Sequence, residues 1–163
     1  MEPIAASYAI EKANLIGNGI IIGNNRIAEL TRLIAKTMGL SMKESEKYDW
    51  MIETQMTQEN LDFMISRIQD GGKIVLKSRS QNILNFISND LIKKDITLQA
   101  VSYANFDKSM RWLENNHNDI AYLLGNTYHI DDFQEAFNEA NSTESKKIFI
   151  KVGDICVDLL QAN

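Results

Sequence analysis

The feature that most constrains the fold is an alternation of short apolar runs with amphipathic segments. The apolar runs, rich in β-branched residues as buried strands are, lie at 20–22, 48–54, 73–78 and 95–101. The segments between them, which carry apolar residues at helical spacing, lie at 27–38, 58–69 and 82–93. Strands that alternate with helices predict an α/β domain built on a parallel sheet with right-handed crossovers.

The regions on either side of this alternation have a different rhythm. A helix is predicted at 3–14, because Pro3 suits the first position of a helix. After Tyr103 the pattern predicts helices at 106–116 and 132–141, a strand at 147–152 and a closing helix beyond it. Gly71 and Gly72 are expected to end the helix at 58–69. No repeat, low-complexity segment or linker divides the chain, so residues 1–163 are predicted to form a single domain.

Charge and composition exclude several classes of partner. The 163 residues carry a net charge of −5, and an acidic surface repels phosphate backbones, so no nucleic-acid partner is expected. No apolar run approaches the roughly 20 residues that span a bilayer. The first residues lack the pattern of a secretory signal. We therefore expect no membrane association and a location in the cytoplasm.

The chemically reactive side chains do not form a catalytic pattern. His117 lies in a polar run and is expected to be exposed, and His129 is expected to lie on a strand. Asp131 and Asp132 precede an amphipathic segment, where acids cap a helix and complement its dipole. Cys156 is the single cysteine, so it cannot form an internal disulfide or a multi-cysteine zinc site. The sequence therefore predicts no catalytic residue and no metal ligand.

One turn has the composition of a phosphate-binding loop. The first apolar run is followed by the residues Gly23, Asn24, Asn25, Arg26, Ile27 and Ala28, which lead into a helix. A helix N-terminus that follows a glycine turn is a favourable site for an anion. These six residues are the predicted cofactor-binding residues, in a vestigial form. The alternative is a turn that is kept only for folding.

An ordered set of short motifs resembles one enzyme family. The set is an EP pair before a helix, the glycine turn, a helix ending in AK-x-x-G, D-x-x-I-E, GGKIVL, LIKKDITL, DDFQEAF and KIFIKV, and it runs from about Glu2 to Val152. It resembles the medium-chain dehydrogenase/reductase family, which includes the zinc-type alcohol, polyol and threonine dehydrogenases. The resemblance implies a shortened Rossmann-like core of about four parallel strands over 15–103. It also implies an α+β annex over 104–163 that packs with the helix at 3–14.

The resemblance also implies that much of an active enzyme is absent. Family members begin with a GroES-like catalytic domain that holds the zinc ligands, and this sequence has no positions for those ligands. Glu2 matches a glutamate near the metal in polyol-type members, but one carboxylate cannot hold zinc, which needs about four ligands. Substrate contacts in the family also lie mainly on the absent domain.

The glycine turn departs from the family fingerprint G-x-G-x-x-G. Gly23 keeps the first glycine, Asn25 replaces the second, and Ala28 replaces the third, where a small residue permits close packing of helix on strand. Asparagine tolerates left-handed backbone angles, so the turn is expected to keep its shape. The side chain of Asn25 would nevertheless occupy the space of the pyrophosphate. We therefore expect no cofactor, with weak NAD(P) binding or the binding of a small anion or mononucleotide as alternatives.

The second departure is a deletion. Only the polar segment 41–47 separates the first helix from the run at 48–54, whereas a Rossmann half needs two further strands and an acidic residue for the ribose. The loss of those strands turns the run at 20–22 into an edge strand, which is an aggregation hazard unless something covers it.

These observations lead to two functional hypotheses. The first is a catalytically incomplete relative of the family, a pseudoenzyme that acts by self-association or as a subunit or regulator of a larger complex. The resemblance implies a homodimer that pairs the strand at 95–101 across a two-fold axis. The second is the nucleotide-binding half of a split NAD(P)-dependent alcohol or polyol oxidoreductase. In that case a protein partner supplies the missing catalytic domain.

Overall fold

The fold is described from a computed structural model, for residues 2–142 and 146–153. The chain divides into two compact units between His117 and Asn118. The sequence placed the change from core to annex between residues 103 and 104. The first helix of the predicted annex therefore lies in the first unit.

Unit 1 is a four-stranded parallel sheet with helices packed against it. Its strands are β1 (Gly19–Ile22), β2 (Tyr48–Glu53), β3 (Ile68–Leu76) and β4 (Thr97–Ala100). Its helices are α1 (Glu2–Tyr8), continued by a 3₁₀ helix (Ala9–Ala13), α2 (Arg26–Thr37), α3 (Gln58–Arg67), α4 (Ser88–Lys93) and α5 (Phe106–Asn116). The strand order is β1-β2-β3-β4, and every neighbouring pair is parallel. The predicted α/β class, with four parallel strands and β1 at an edge, is confirmed.

The glycine pair after α3 lies inside a strand, not at the end of a helix as predicted. The helix ends at Arg67, and β3 begins at once with Ile68. Between the pairings of Tyr48 with Ile68 and of Trp50 with Lys73, the register shifts, so the glycines lie in a bulge. A Cβ on Gly72 would lie 2.6 Å from Cγ1 of Ile68. The tight packing of this bulge, rather than the termination of a helix, accounts for the small residue at position 72.

The two faces of the sheet carry different helices. On one face a cluster of buried side chains joins the strands to α3, and it comprises Tyr48, Met51, Met56, Leu61, Met64, Ile68 and Ile74. On the other side, Lys73 of β3 and Lys77 directly after it donate to Ala13 O and Ala6 O, so α1 and the 3₁₀ helix that continues it lie on the opposite face. Helix α2 packs against α1. Helices α2 and α3 therefore lie on opposite faces of the sheet.

A single β-bridge explains how α2 and α3, on opposite faces of the sheet, can both belong to right-handed crossovers. If α2 led directly from β1 to β2, its crossover would have the opposite hand to the β2–α3–β3 crossover. Ser41, after α2, instead forms an isolated parallel bridge with Asn18 on the outer side of β1, where Gly19 N–H donates to Ser41 O at 3.0 Å. The chain thus passes first to the far side of β1 and then returns to β2. With this detour, α2 and α3 both belong to crossovers of the usual hand.

Unit 2 is a small βαβ arrangement. A 3₁₀ helix (His117–Leu123) leads into β5 (Leu124–His129), and a short turn (Ile130–Asp132), α6 (Phe133–Ser142) and the parallel strand β6 (Lys147–Lys151) follow. The Glu139 carboxylate on α6 accepts hydrogen bonds from the Tyr128 hydroxyl and from Asn126 Nδ2. The bond from Tyr128 lowers the pKa of Glu139, and the same bond raises the pKa of Tyr128. These hydrogen bonds hold α6 against β5.

The predicted helix at 132–141 and the predicted strand at 147–152 are confirmed to within two residues. The predicted closing helix begins at 153 and lies almost wholly outside the described residues. Within the described ranges, no helix combines the length and the apolar character needed to cross a bilayer.

Candidate functional site at the carboxyl edge of the sheet

The loops after the four parallel strands meet at one edge of the sheet. In open α/β sheets, ligands bind in the crevice outside the carboxyl ends of the strands. In unit 1 this edge contains the Gly23 turn after β1 and the residues that directly follow β2, β3 and β4. A ligand-binding site in unit 1 is therefore expected at this edge.

Gly23 is required at its position by both conformation and space. Its φ is +123°, which favours glycine. A Cβ there would lie 2.3 Å from Oγ1 of Thr54. Thr54 itself donates twice to Ile22 O, from its backbone N–H and from its hydroxyl, at 3.0 Å each. The turn after β1 is thus packed directly onto the end of β2.

Asn25 caps helix α2 and does not adopt the left-handed angles that the sequence suggested. Its φ and ψ are −88° and 171°, the extended conformation usual for an N-cap residue. Its Oδ1 accepts a hydrogen bond from Ala28 N–H at 2.9 Å, and its Nδ2 donates to Thr54 O at 2.9 Å. Both ends of the carboxamide are therefore bound within the protein.

The other residues of the turn are placed as parts of a strand–helix junction. Ala28 is fully buried, which fits the close helix–strand packing expected at the third glycine position. Asn24 is exposed, and Arg26 and Ile27 form the first turn of α2. All six predicted residues are therefore contiguous in one turn, as their order in the sequence requires.

Arg32 is a residue of this region that the sequence analysis did not single out. From α2 its guanidinium donates to Ile21 O at 3.0 Å and to Gly23 O at 2.6 Å, and it pairs with Glu29 Oε1 at 2.6 Å. Its charge is thus used to bind the carbonyl groups at the outer side of β1. No sequence pattern signalled this role, because the contact is made between a helix and the strand it packs on.

A buried carboxylate and a half-buried amine lie at the ends of β2 and β3. Glu53 is 1% exposed, and its Oε1 accepts from the backbone N–H groups of Lys77 (2.7 Å) and Ser78 (2.8 Å). Its Oε2 is buried and has no hydrogen-bond partner among the described residues. Burial lowers the pKa of Lys77 to about 8, against an opposing effect of the Glu53 charge.

Glu2, which the resemblance places near a metal, has an internal partner here. Its Oε1 accepts a hydrogen bond from the Tyr103 hydroxyl at 2.6 Å. The guanidinium of Arg79 lies 4.8 Å from the centre of the Tyr103 ring, a cation–π distance. Helix α1 is held to the segment that follows β4 by the bond between Glu2 and Tyr103 and by the 2.9 Å hydrogen bond from Ala104 N–H to Ala5 O.

The remaining candidate side chains are dispersed. His117 ends α5, where it is exposed and contacts Glu114 O at 3.0 Å. His129 is the last residue of β5, and its Nδ1 lies 3.0 Å from Asp131 Oδ2. Cys156 lies outside the described residues. Among the residues that the structure describes, no three His, Cys, Asp or Glu side chains are grouped as metal ligands.

An open groove of about 570 Å³ lies on unit 1 between α3 and α4. Its lining includes the apolar residues Ile65, Phe86 and Ile87 and the charged residues Asp90 and Lys93. None of residues 23–28 lines it.

Comparison with known proteins gives a likeness of fold. No protein-family model matches the chain, and no curated protein matches it. Solved structures do match. TarJ from S. aureus in complex with NADPH has a TM-score of 0.78 at 18% identity, over 93% of this chain and 62% of that chain. L-idonate 5-dehydrogenase from Escherichia coli has a TM-score of 0.80 at 18% identity, over 91% of this chain and 55% of that chain.

A third structure gives the same result. For 2R,3R-butanediol dehydrogenase from Bacillus subtilis the TM-score is 0.75 at 16% identity, over 92% of this chain and 56% of that chain. The chain thus has the Rossmann-like fold found in part of larger alcohol and polyol dehydrogenases, and it spans 55–62% of the length of these three structures.

Proposed function

We propose that this chain is a catalytically incomplete relative of the medium-chain alcohol dehydrogenases and that it acts in the cytoplasm through association, either with itself as a homodimer or as a subunit or regulator of a larger complex. The likeness of fold to alcohol and polyol dehydrogenases supports the relationship. One observation carries the proposal of self-association. Strand β4 is an open edge of the sheet, whereas the chain itself covers the edge at β1.

The backbone of β4 presents outward groups for which the described residues supply no strand partner. Val101 N–H donates to Leu76 O of β3, and along a strand the groups of alternate residues point the same way. The N–H and C=O groups of Leu98 and Ala100 therefore point away from β3. Ile96 is not available in the same way, since its N–H donates to Leu91 O at 3.0 Å.

These groups fit a second copy of the strand in an antiparallel register centred on Gln99. With a two-fold axis at Gln99, Leu98 of one copy faces Ala100 of the other, and each such pair exchanges both backbone hydrogen bonds. An axis at Leu98 would instead require Ile96, whose N–H is already bound. The side chain of Leu98 is 37% exposed and would lose that exposure in the dimer.

The first experiment is the mass of the purified chain by light scattering, together with the variant Leu98→Pro. Proline removes the outward N–H at position 98 and leaves the bonds of Thr97 and Gln99 to β3 intact. We expect a dimer for the wild type and a folded monomer for the variant. The matched control is Ile16→Lys, which removes an exposed apolar side chain (85% exposed) outside the strands. A monomeric wild type contradicts the homodimer, and a dimeric Leu98→Pro variant contradicts pairing through β4.

Cysteine cross-linking tests the register itself. In a background with Cys156→Ser, Gln99→Cys would place two thiols opposite each other at a non-hydrogen-bonded pair, where Cα atoms lie about 4.5 Å apart, within the range of a disulfide. The control is Leu98→Cys, which faces Ala100 rather than itself. Rapid cross-linking of the Gln99→Cys variant alone supports this register, and equal or reversed rates for the two variants argue against it.

A second candidate function is the nucleotide-binding half of a split NAD(P)-dependent alcohol or polyol oxidoreductase, with a partner chain that supplies the rest. Two observations favour it. One of the matching structures is a complex with NADPH, and this chain covers only 62% and 55% of the length of the first two structures, which leaves room for a partner chain. Calorimetric titration with NAD(H) and NADP(H) separates the two candidates. Under the first candidate we expect no binding. Micromolar binding of either dinucleotide would instead support the split enzyme.

A further inference from the structure

The turn after β1 differs from a ligand-binding turn in how its polar groups are used. A helix N-terminus leaves four backbone N–H groups without intrahelical partners, and these groups are what a bound anion normally satisfies. In this chain Asn25 Oδ1 accepts the hydrogen bond of Ala28 N–H at 2.9 Å. One of the amides that could hold an anion is therefore already bound by the chain.

The carboxamide of Asn25 is also fixed in place. Its Nδ2 donates to Thr54 O at 2.9 Å, so the oxygen must face the helix and the nitrogen must face β2. Rotation of the side chain away from the helix would break both hydrogen bonds. The side chain is thus not free to yield to an incoming ligand.

The crevice between the ends of β1 and β2 is bridged at this point. Thr54 is tied to Ile22 O by two hydrogen bonds of 3.0 Å, and Asn25 adds a third link between the two strands. The nearby cation of Arg32 is directed to Ile21 O, Gly23 O and Glu29 rather than to the space in front of the helix. Two groups that would attract an anion, the Ala28 N–H and the Arg32 guanidinium, are therefore used within the protein.

We propose that Asn25 is a built-in occupant of the anion-binding turn: its carboxamide takes the place of a ligand, caps α2 and closes the crevice to pyrophosphate. This inference deepens the proposed non-catalytic function, since it names the residue that closes the cofactor site. The N-terminus of α2 thus has a side-chain cap in the absence of any dinucleotide.

This inference is tested by titrating the full chain with inorganic pyrophosphate and with ADP. Binding is measured by calorimetry and by the shift in melting temperature. We expect no response from the wild type. The variant Asn25→Gly restores the second glycine of the fingerprint, and we expect it to bind pyrophosphate at least about tenfold more tightly than the wild type, a difference of about 1.4 kcal/mol. Asn24→Gly, at an exposed neighbouring position, is the matched control and should behave as the wild type.

A second variant keeps the test decisive if Asn25→Gly fails to fold. Asn25→Ser keeps a capping oxygen for Ala28 N–H but lacks the donor to Thr54 O, so it retains the helix cap and opens the bridge. Pyrophosphate binding equal to that of the wild type in every folded variant, or tight binding by the wild type itself, would overturn the inference. Because self-association is read from the mass, a failure here leaves the proposed dimer standing, and a monomeric mass leaves this inference standing.

Discussion

The two outer strands of the parallel sheet differ in what covers them. At β1 the outward groups of Gly19, Ile21 and Gly23 meet Ser41 O and the guanidinium of Arg32. At β4 the outward groups of Leu98 and Ala100 meet no other strand of the described sheet. An exposed edge is a template for pairing with another chain. The comparison indicates that the chain covers the edge at β1 and leaves the opposite edge of the described sheet available for a partner.

The largest expected effect comes from breaking the closed edge at Gly19. A Cβ at this position would lie 2.0 Å from the ring of Trp50, which is 1% exposed. We expect Gly19→Ala to lower the free energy of unfolding by at least about 3 kcal/mol, because the ring cannot move without disturbing the core. Urea denaturation measures this loss.

The control is Gly39→Ala, at a residue with φ +73° and no atom within 4 Å of the added Cβ. Its cost should be about 1 kcal/mol, from backbone strain alone. If the two glycine variants lose the same stability, steric closure around Gly19 is not what holds β1.

The next test concerns the face beside the open edge, where Lys77, directly after β3, donates to Ala6 O of α1. The pKa of Lys77 is lowered from 10.5 to about 8. Between these values the unfolded chain binds a proton that the folded chain has lost, so stability rises with pH across the window from about 8 to 10.5. We expect a rise of up to about 2 kcal/mol, reduced from the full shift because the side chain is only partly buried.

Urea midpoints at pH 7, 8.5 and 10 measure this rise, and Lys77→Met should abolish it. Lys73→Met is the matched control, since Lys73 also donates to a carbonyl oxygen of the N-terminal segment, that of Ala13. It should keep the wild-type dependence on pH. A Lys77→Met variant that still gains stability over this window would contradict the assignment.

A smaller effect is expected when Arg32 is removed from the covered edge. Arg32→Met keeps the aliphatic length of the side chain but leaves Ile21 O and Gly23 O without their donor. We expect a loss of about 1–2 kcal/mol, as for hydrogen bonds to a charged group. Because β1 then becomes a second open edge, we also expect species larger than a dimer in light scattering.

Lys36→Met, at an exposed position of the same helix, is the control and should change neither stability nor mass. A variant of Arg32 with the mass and the stability of the wild type would show that the guanidinium does not protect the edge.

Several elements followed from the sequence because their signals are local. The β-branched runs gave the four strands, and helical spacing gave α2, α3 and α5. The Schellman turn at Gly39, with bonds of 3.0 Å from Gly39 N–H to Lys36 O and from Leu40 N–H to Ala35 O, also follows from one residue type. Asparagine before a helix is a known N-cap signal. The role of Asn25 as the N-cap of α2 could therefore be predicted from the sequence, but the comparison with the glycine fingerprint drew attention to its missing glycine instead.

The segment before α4 shows where local signals fail. Apolar spacing predicted a helix over 82–93, but the helix begins at Ser88. The carboxamide of Gln58 binds both the N–H and the C=O of Asn85, at 2.9 and 2.8 Å. Backbone groups held by a residue 27 positions away cannot form helical hydrogen bonds, and no local pattern contains that contact.

By itself, the sequence determined the class of the fold and the count and direction of the four strands in unit 1. Those features depend on the periodicity of apolar residues and on the length of the connecting segments, and both are local properties of the sequence. Only the tertiary structure decided that Ser41 and Arg32 cover β1, that Asn25 binds Thr54, and that β4 remains open. Each of these depends on which donor meets which acceptor across distant segments, and that pairing exists only once the strands and helices have packed.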